Sequence, residues 1–417
     1  MTQLCRRLGG LVLLFAAWML TTSPVSAEPR FAARTAAACQ LCHVNPSGGG
    51  MRNDYGRNVY AAHVLPLALP DARTAPTLDL SWEPTAGVGI SAGADVRFAF
   101  IAVDTDYVID PATNEAFRLP TMLSFFLMQD DVYALAELGN ELSLYLDYGV
   151  ASGNLESFAL WRPGPADAYV KAGLFLPPYG LKLPNHRTYI REEGLGLEPN
   201  VRDAGVELGA FPGPVGVSVA VVNGLGGTEG LNPDRKLAVT GRADASFGGT
   251  KLKGTLGVSG WFEPGGEVVD GDDLRTYDIR SGFYGMASAG RLTFLTEWDW
   301  RRVSDRATGT STDAFVGYNE LDVLIRQGID LQLFFEYYDP DIALTPNVLM
   351  RPGLAVSVFP TPNVELSVLY RHTFGDNNCG EGGLFGDEDC AQADVQTFYT
   401  GATAGMDEAI LFLRVFL

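Results

Sequence analysis

The stretch Arg291–Arg301 (RLTFLTEWDWR) governs how the rest of the chain is read. Leu292, Phe294, Thr296, Trp298 and Trp300 fall on one side of an extended backbone, and Arg291, Thr293, Glu297, Asp299 and Arg301 on the other. A period of two marks a strand, because successive side chains leave opposite faces. The pattern recurs. Ile329, Leu331, Leu333, Phe335 and Tyr337 oppose Asp330, Gln332 and Glu336, while Val364, Leu366, Val368 and Tyr370 oppose Glu365, Ser367 and Arg371. From Thr77 to Leu417, turn residues break this alternation at roughly 8- to 15-residue intervals.

In water such strands build a sandwich or a propeller; in an outer membrane they build a barrel, apolar toward lipid and polar toward the lumen. Several features favour the barrel. Strands of about ten residues cross a hydrocarbon layer when tilted. Short connections such as Gly139-Asn140 alternate with long acidic ones such as Glu263–Leu274 and Gly375–Asp394, the turn-and-loop asymmetry of outer-membrane barrels. Trp161, Phe175, Trp261-Phe262 and Tyr337-Tyr338, near strand ends, read as interfacial girdles. The chain finishes on an apolar strand, Ala409–Leu417, with Phe416 penultimate. The expected fold class is therefore all-β: residues 76–417 as a transmembrane antiparallel β-barrel of about sixteen strands, behind a small N-terminal haem-binding segment.

Composition agrees. With 48 Gly, 11% aromatic residues and only 19% charged residues, the chain departs from a soluble helical enzyme, and no apolar run long enough for a membrane helix follows the N-terminal one. The formal charge of −20 removes nucleic acid as a partner. No Ser/His/Asp triad or phosphate-binding loop stands out, and four histidines in 417 residues make hydrolytic chemistry a poor reading. Arg6-Arg7, the apolar stretch Leu11–Leu20 and Val25-Ser26-Ala27 read as a signal peptide over residues 1–27, with Cys5 lost on cleavage. Export to the outer membrane, in contact with lipid and lipopolysaccharide, is the expectation.

Four cysteines remain. Cys379 and Cys390 bracket an acidic, glycine-rich segment (CGEGGLFGDEDC) and are expected to form a disulfide in an oxidising compartment. Cys39-Gln40-Leu41-Cys42-His43 is C-x-x-C-H, the attachment signature of haem c. Two thiols one helical turn apart add to the two vinyl groups, and the adjoining His43 binds the iron from the proximal side. A redox dithiol or half of a zinc site also uses C-x-x-C, but neither requires the adjacent histidine. Residues 28–75 are read as a monohaem cytochrome segment, too small to bury a core without its haem or a neighbouring wall. For the distal iron position, His63 and Met51 are both within chain reach; the alternatives are water or a ligand outside this segment.

Two further clusters carry charge. Leu176–Val201 (LPPYGLKLPNHRTYIREEGLGLEPNV) interrupts the strand rhythm. It reads either as a loop folded into the lumen, its Lys182, His186, Arg187 and Arg191 facing anions or haem propionates, or as a surface loop where these pair with Glu192 and Glu193. Glu263, Glu267, Asp270, Asp272 and Asp273, and then Asp376, Glu381, Asp387, Glu388 and Asp389, read as solvated loop faces, as sites bridged to lipopolysaccharide by divalent ions, or as a means of concentrating Fe²⁺ or Ca²⁺.

Over Phe31–Tyr60 the chain resembles the fused cytochrome–porin outer-membrane proteins, best known as bacterial Fe(II) oxidases. The residues that carry the likeness are Phe31-Ala32, Cys39–His43, Pro46 and Asn53-Asp54-Tyr55-Gly56-Arg57. Gly48-Gly49-Gly50 and Arg52 depart from the family pattern. The remainder resembles phosphate-selective-type porins in general pattern, with Gly173–Gly180 (GLFLPPYG) the nearest local match. The resemblance implies one haem, held by Cys39, Cys42 and His43 in or near a barrel mouth, passing electrons from an external donor, Fe²⁺ in that family, to periplasmic cytochromes. Two other readings stand beside this electron conduit: a porin for solute or ion passage with an accessory haem segment, and a barrel that sheathes a separate multihaem cytochrome.

Overall fold

The alternation of polar and apolar residues becomes a closed ring of sixteen antiparallel strands. The computed structural model describes residues 29–68 and 80–416, apart from 36–37, 106, 110–115, 119–120, 184, 186, 192–193, 198–200, 225–231, 233–235, 266–267, 270–271, 274, 345–347 and 376–404. The expected signal peptide and the Cys379–Cys390 pair lie outside the described residues, as does the second acidic cluster. In ring order the first eight strands are β1 (Val88–Thr105), β2 (Met122–Leu138), β3 (Leu142–Gly149), β4 (Leu155–Trp161), β5 (Tyr169–Phe175), β6 (Asp203–Ala210), β7 (Val215–Val222) and β8 (Ala238–Gly248). The second eight are β9 (Lys253–Gly265), β10 (Thr276–Ala289), β11 (Leu292–Asp305), β12 (Thr310–Arg326), β13 (Ile329–Asp339), β14 (Leu349–Thr361), β15 (Val364–Thr373) and β16 (Met406–Phe416). β16 closes the ring on β1, from Asp95↔Phe416 to Thr105↔Met406. A short strand, Ser81–Thr85, folds back on the start of β1 below that contact.

The side chains obey the pleat. On β11, Leu292 and Phe294 are 50% and 45% exposed on the outer face, whereas Thr293, Glu297 and Asp299 are each 1% exposed inside. Three aromatics expected in the interfacial girdles, Phe175, Trp261 and Tyr338, point inward instead, Tyr338 against the ring of Tyr189 (centroids 5.5 Å apart). Trp261 and Phe262 are sequence neighbours, so the strand sends Phe262 out and Trp261 in. Trp161 also faces out, but Phe175 is fully buried. Phe175 lies 4.4 Å beneath Lys171 Nζ, and Trp261 lies 4.9 Å from the Arg280 guanidinium, so both serve as faces for lumenal cations.

The lumen is filled by the chain itself. The N-terminal segment, which cannot enclose a core alone, sits inside the short-turn end of the barrel. Leu67 N donates to Phe359 O (2.9 Å), Gln327 Nε2 to His63 O (2.8 Å) and Lys253 Nζ to Arg34 O (3.1 Å). Phe31, Tyr60 and Leu65 pack with Phe359 and Phe416 of the wall. Polar contacts complete the seat. Arg34 bridges Asp322 (2.7 Å) and Asp330 (2.8 Å). Lys171 and Glu207, both fully buried, pair at 2.6 Å, and each also binds the segment: Lys171 donates to Asn45 Oδ1 (3.2 Å), and Ser47 Oγ donates to Glu207 (2.9 Å).

The connection between β5 and β6 is the second insert, and of its two expected positions it takes the lumen. Leu181 N and Tyr189 N donate to wall carboxylates Glu297 (2.6 Å) and Glu336 (2.8 Å), while Arg187 and Arg191 pair with Glu408 (2.7 Å) and Glu297 (3.1 Å). His186, Glu192 and Glu193 are outside the described residues.

Breaking one half of the Lys171–Glu207 pair leaves a buried charge without its partner, a change that costs about 3–5 kcal/mol. Lys171→Met is therefore expected to make the N-terminal segment sensitive to added protease in the folded barrel, and Lys171→Met/Glu207→Leu to restore most of the protection. Equal protection of wild type and single variant would mean that this pair does not hold the segment.

Candidate functional site

The C-x-x-C-H residues form one tight turn, in which Cys42 N and His43 N both donate to Cys39 O (3.2 and 3.0 Å). The chain then doubles back, Val44 N donating to Met51 O (3.1 Å) and His43 bridging to Arg52. So sharp a return runs through Gly48, Gly49 and Gly50 at φ of +87°, +80° and +61°, which side-chain-bearing residues avoid. A Cβ on Gly48 would also lie 2.9 Å from Cys39 Sγ. The three glycines thus let this hairpin wrap the cysteines.

Asn53 locks the turn from the other side. Its N–H donates to Cys42 O (3.0 Å), its Nδ2 to Gln40 O (2.9 Å), and its Oδ1 accepts from Gly56 N (3.0 Å). Gly56 rests on the Cys42 carbonyl with no room for a side chain. These contacts give a physical reason for the Asn-x-aromatic-Gly run.

His43 Nδ1 lies 3.3 Å from Gly50 O. A proton on Nδ1 donates there, and in that tautomer Nε2 carries the ring's lone pair, the arrangement that orients metal-ligating imidazoles. The two cysteine sulfurs are not bonded to each other. Burial pushes the Cys42 thiol up to about 12, with Arg52 opposing and Cys39 adding to the rise; redox dithiols have the opposite shift. Among the described residues, no group of three or more His, Cys, Asp or Glu side chains is arranged to hold a bare metal ion.

Cys39, Cys42 and His43 all border a cavity of about 430 Å³ that the N-terminal segment, the inward loop and the barrel wall enclose together, a size in the ordinary range for ligand pockets. Its apolar lining includes Phe31, Tyr60, Leu181, Leu183 and Phe416. Seven cationic side chains, Arg52, Arg97, Lys182, Arg191, Arg202, Arg242 and Arg414, border it against five carboxylates, Asp95, Asp130, Asp131, Asp147 and Glu156. Cations outnumber carboxylates on this lining in a chain of net charge −20, and Arg191, Arg242 and Arg414 among them are paired with Glu297, Asp244 and Asp95.

The residues present fit a haem. Thiols and imidazole share one wall, apolar side chains can flank a planar ring, and the cations suit its two propionates. Among the described residues Arg202 Nε is buried without a hydrogen-bond partner, and its guanidinium lies 3.7 Å from an Asp147 carboxylate oxygen. A carboxylate in the cavity would supply that acceptor. Burial, reinforced by Lys171, lowers Lys182 to about 8, and an anion in the cavity would oppose that shift by stabilising the ammonium.

The expected distal ligands lie elsewhere. His63 is exposed at the short-turn rim, and Met51 is 1% exposed but off the cavity wall, its N–H donating to Tyr145 OH (3.0 Å). Asn45, Ser47, Lys171, Glu207 and Arg202 were not legible as site residues. For Lys171 and Glu207 the one signal was a charge on the lumenal parity of a strand. Of the first acidic cluster, Glu263 is buried and accepts from Trp261 Nε1 at 3.0 Å, which makes it a wall residue rather than a loop face.

No protein-family model and no curated protein matches the chain. Solved structures do. An anion-selective porin from Comamonas acidovorans has a TM-score of 0.54 at 11% identity, covering 79% of this chain and 100% of that one. OmpT of Vibrio cholerae, an outer-membrane protein, gives 0.55 at 9% over 80% and 99% of the two chains. The outer-membrane channel DcaP of Acinetobacter baumannii gives 0.54 at 12% over 81% and 99%. The fold is that of outer-membrane porins.

Gly180 seats the inward loop at φ +46°, and a Cβ there would collide with the Glu297 carboxylate. Gly180→Ala adds about 1–2 kcal/mol of left-handed backbone strain to that collision. It is expected to raise single-channel conductance over wild type in planar bilayers. Identical traces would show that this loop is not the constriction.

Proposed function

We propose that the chain is an outer-membrane barrel carrying one c-type haem in its lumen, and that it conducts electrons between an external donor and periplasmic cytochromes. The observation that carries this reading is the position of Cys39, Cys42 and His43 on one turn at the wall of a lumenal cavity, with His43 Nδ1 held toward Gly50 O at 3.3 Å. Short turns of such barrels face the periplasm, and in this reading the N-terminal segment stands at the periplasmic mouth, next to soluble electron acceptors. The donor reading, Fe²⁺, rests on the family likeness of Phe31–Tyr60.

A bound haem would supply a one-electron couple at its iron. The chain's own contribution is positional and electrostatic. Cys39 and Cys42 supply the two sulfurs for attachment, the Gly50 carbonyl sets the His43 tautomer, and the glycine hairpin and Asn53 hold the turn rigid. The surrounding cations stabilise carboxylates, and the packed inserts exclude water, both of which tune a haem's potential.

A second reading has its own support. The structural neighbours are porins and channels, and a cation-rich chamber favours anions. In this reading the barrel passes small solutes, and the N-terminal segment is a plug.

Two measurements separate the readings. Purified protein matured with c-type haem machinery should show sharp reduced-cytochrome bands within seconds of adding Fe²⁺, and Cys39→Ala/Cys42→Ala should lose covalent haem. Bands that appear only with a strong chemical reductant would remove Fe²⁺ as donor, and absence of covalent haem would sink the conduit. In planar bilayers the wild-type barrel should conduct far less than an open sixteen-stranded porin. Porin-sized conductance with anion preference would favour solute passage.

A further inference from the structure

The lumenal inserts carry the proximal side of the site but place neither His63 nor Met51 at the cavity. The wall does hold candidate donors. Among the described residues bordering the cavity, His43 is the one imidazole, and two methionines, Met128 and Met286, bring thioether sulfurs.

Met128 stands at an irregularity in the ring. Along β1 and β2, Arg97 pairs with Gln129 but Phe98 pairs with Leu127, so Met128 is an extra residue on its strand. Above it Phe125 and Leu127 face outward (69% and 47% exposed), and below it Val132 does (45%) while Tyr133 and Leu135 are buried inside. The alternation has changed phase across the bulge. In consequence Met128 and Gln129, neighbours in the chain, both border the cavity, where a regular strand turns only alternate residues inward. Bulges of this kind re-aim a side chain beside functional sites. The Met128 sulfur is 3.8 Å from Arg97 Nη1, a contact that steadies the side chain and uses one of two sulfur lone pairs.

Met286, on β10, lies half the ring away and shares a small cleft with Ala38, Cys39 and Arg242. The Cys39 sulfur would join the edge of a bound haem, so Met286, which shares a cleft with Cys39, would lie toward that edge.

We propose that Met128, supplied by the barrel wall, is the sixth ligand of the haem iron opposite His43. This deepens the conduit reading and rests on it. It also gives the barrel a chemical role: iron coordination spans wall and insert, so the reduced and oxidised couple depends on the insert being seated.

The test uses the full chain, haem-matured and purified in detergent, with wild type, Met128→Leu, Met286→Leu and Met51→Leu compared by optical spectrum and redox titration. The expected result is a methionine–iron(III) charge-transfer band in wild type that is lost only in Met128→Leu, together with a downward shift of the midpoint potential, because methionine ligation raises it. Met128→His is expected to rebuild a six-coordinate, low-spin spectrum at a lower potential, which a merely structural residue would not do. Folding of each variant is checked by the heat-dependent gel mobility of the barrel. A band that survives in Met128→Leu, that disappears in Met286→Leu or Met51→Leu, or that is absent from haem-loaded wild type overturns the assignment and leaves the conduit reading standing. Absence of covalent haem from the wild type overturns both.

Discussion

In hydrocarbon a peptide group without a hydrogen-bond partner costs several kcal/mol, so a sheet in a membrane can have no free edge. The pairing of β16 with β1, from Asp95↔Phe416 to Thr105↔Met406, meets that demand, and everything inside the barrel follows from it. Closure separates one face of every strand from lipid and gathers the polar residues of sixteen strands into one enclosed space. Glu297, Asp299, Asp322, Glu336, Arg371 and Glu408 are all at most 1% exposed there. Buried charges at that density require partners. The wall supplies some, as in Arg371 with Glu408 (2.7 Å) and Arg351 with Glu336 (2.8 Å). The rest come from the two inserts, whose backbone N–H groups and arginines end on the same carboxylates.

The cavity is therefore the space that two inserts leave between them, and its character comes from which side chains the inserts do not neutralise. The wall is also uneven. β3 to β7 have seven or eight residues each, against fourteen to eighteen in β1, β2 and β10 to β12, and the turn at Ala151–Asn154 on the low side borders the chamber. A site so placed is bordered by a turn of the short strands as well as by the two inserts. That geometry suits a cofactor exchanging electrons across a thin barrier, and it also suits a narrow anion path; the rigid C-x-x-C-H turn is what favours the first.

Much of the fold was legible in single strands. β11, β13 and β15 announced themselves because a pleat sends alternate residues to opposite faces whatever the rest of the chain does. The same rule corrects the girdle at Trp261-Phe262, where two adjacent aromatics cannot both face lipid. The C-x-x-C-H turn was legible for a similar reason, since its spacing is one turn of backbone. The inward loop was half legible: its prolines and charges showed a break in the strand rhythm, but not whether Arg187 and Arg191 would meet Glu192 and Glu193 nearby or Glu408 and Glu297 across the lumen.

What the amino-acid sequence determined by itself is thus local: the period of two that demands a two-faced sheet, the scarcity of charge outside it, and the cysteine and histidine spacing that suits one haem. Only the tertiary structure decided which distant groups meet. Lys171 reaches Asn45 across 126 positions and Arg34 reaches Asp322 across 288, because strand order and closure, not chain proximity, set who is opposite whom. The bulge at Met128 belongs to the same class, since an extra residue in one strand exists only relative to its partner.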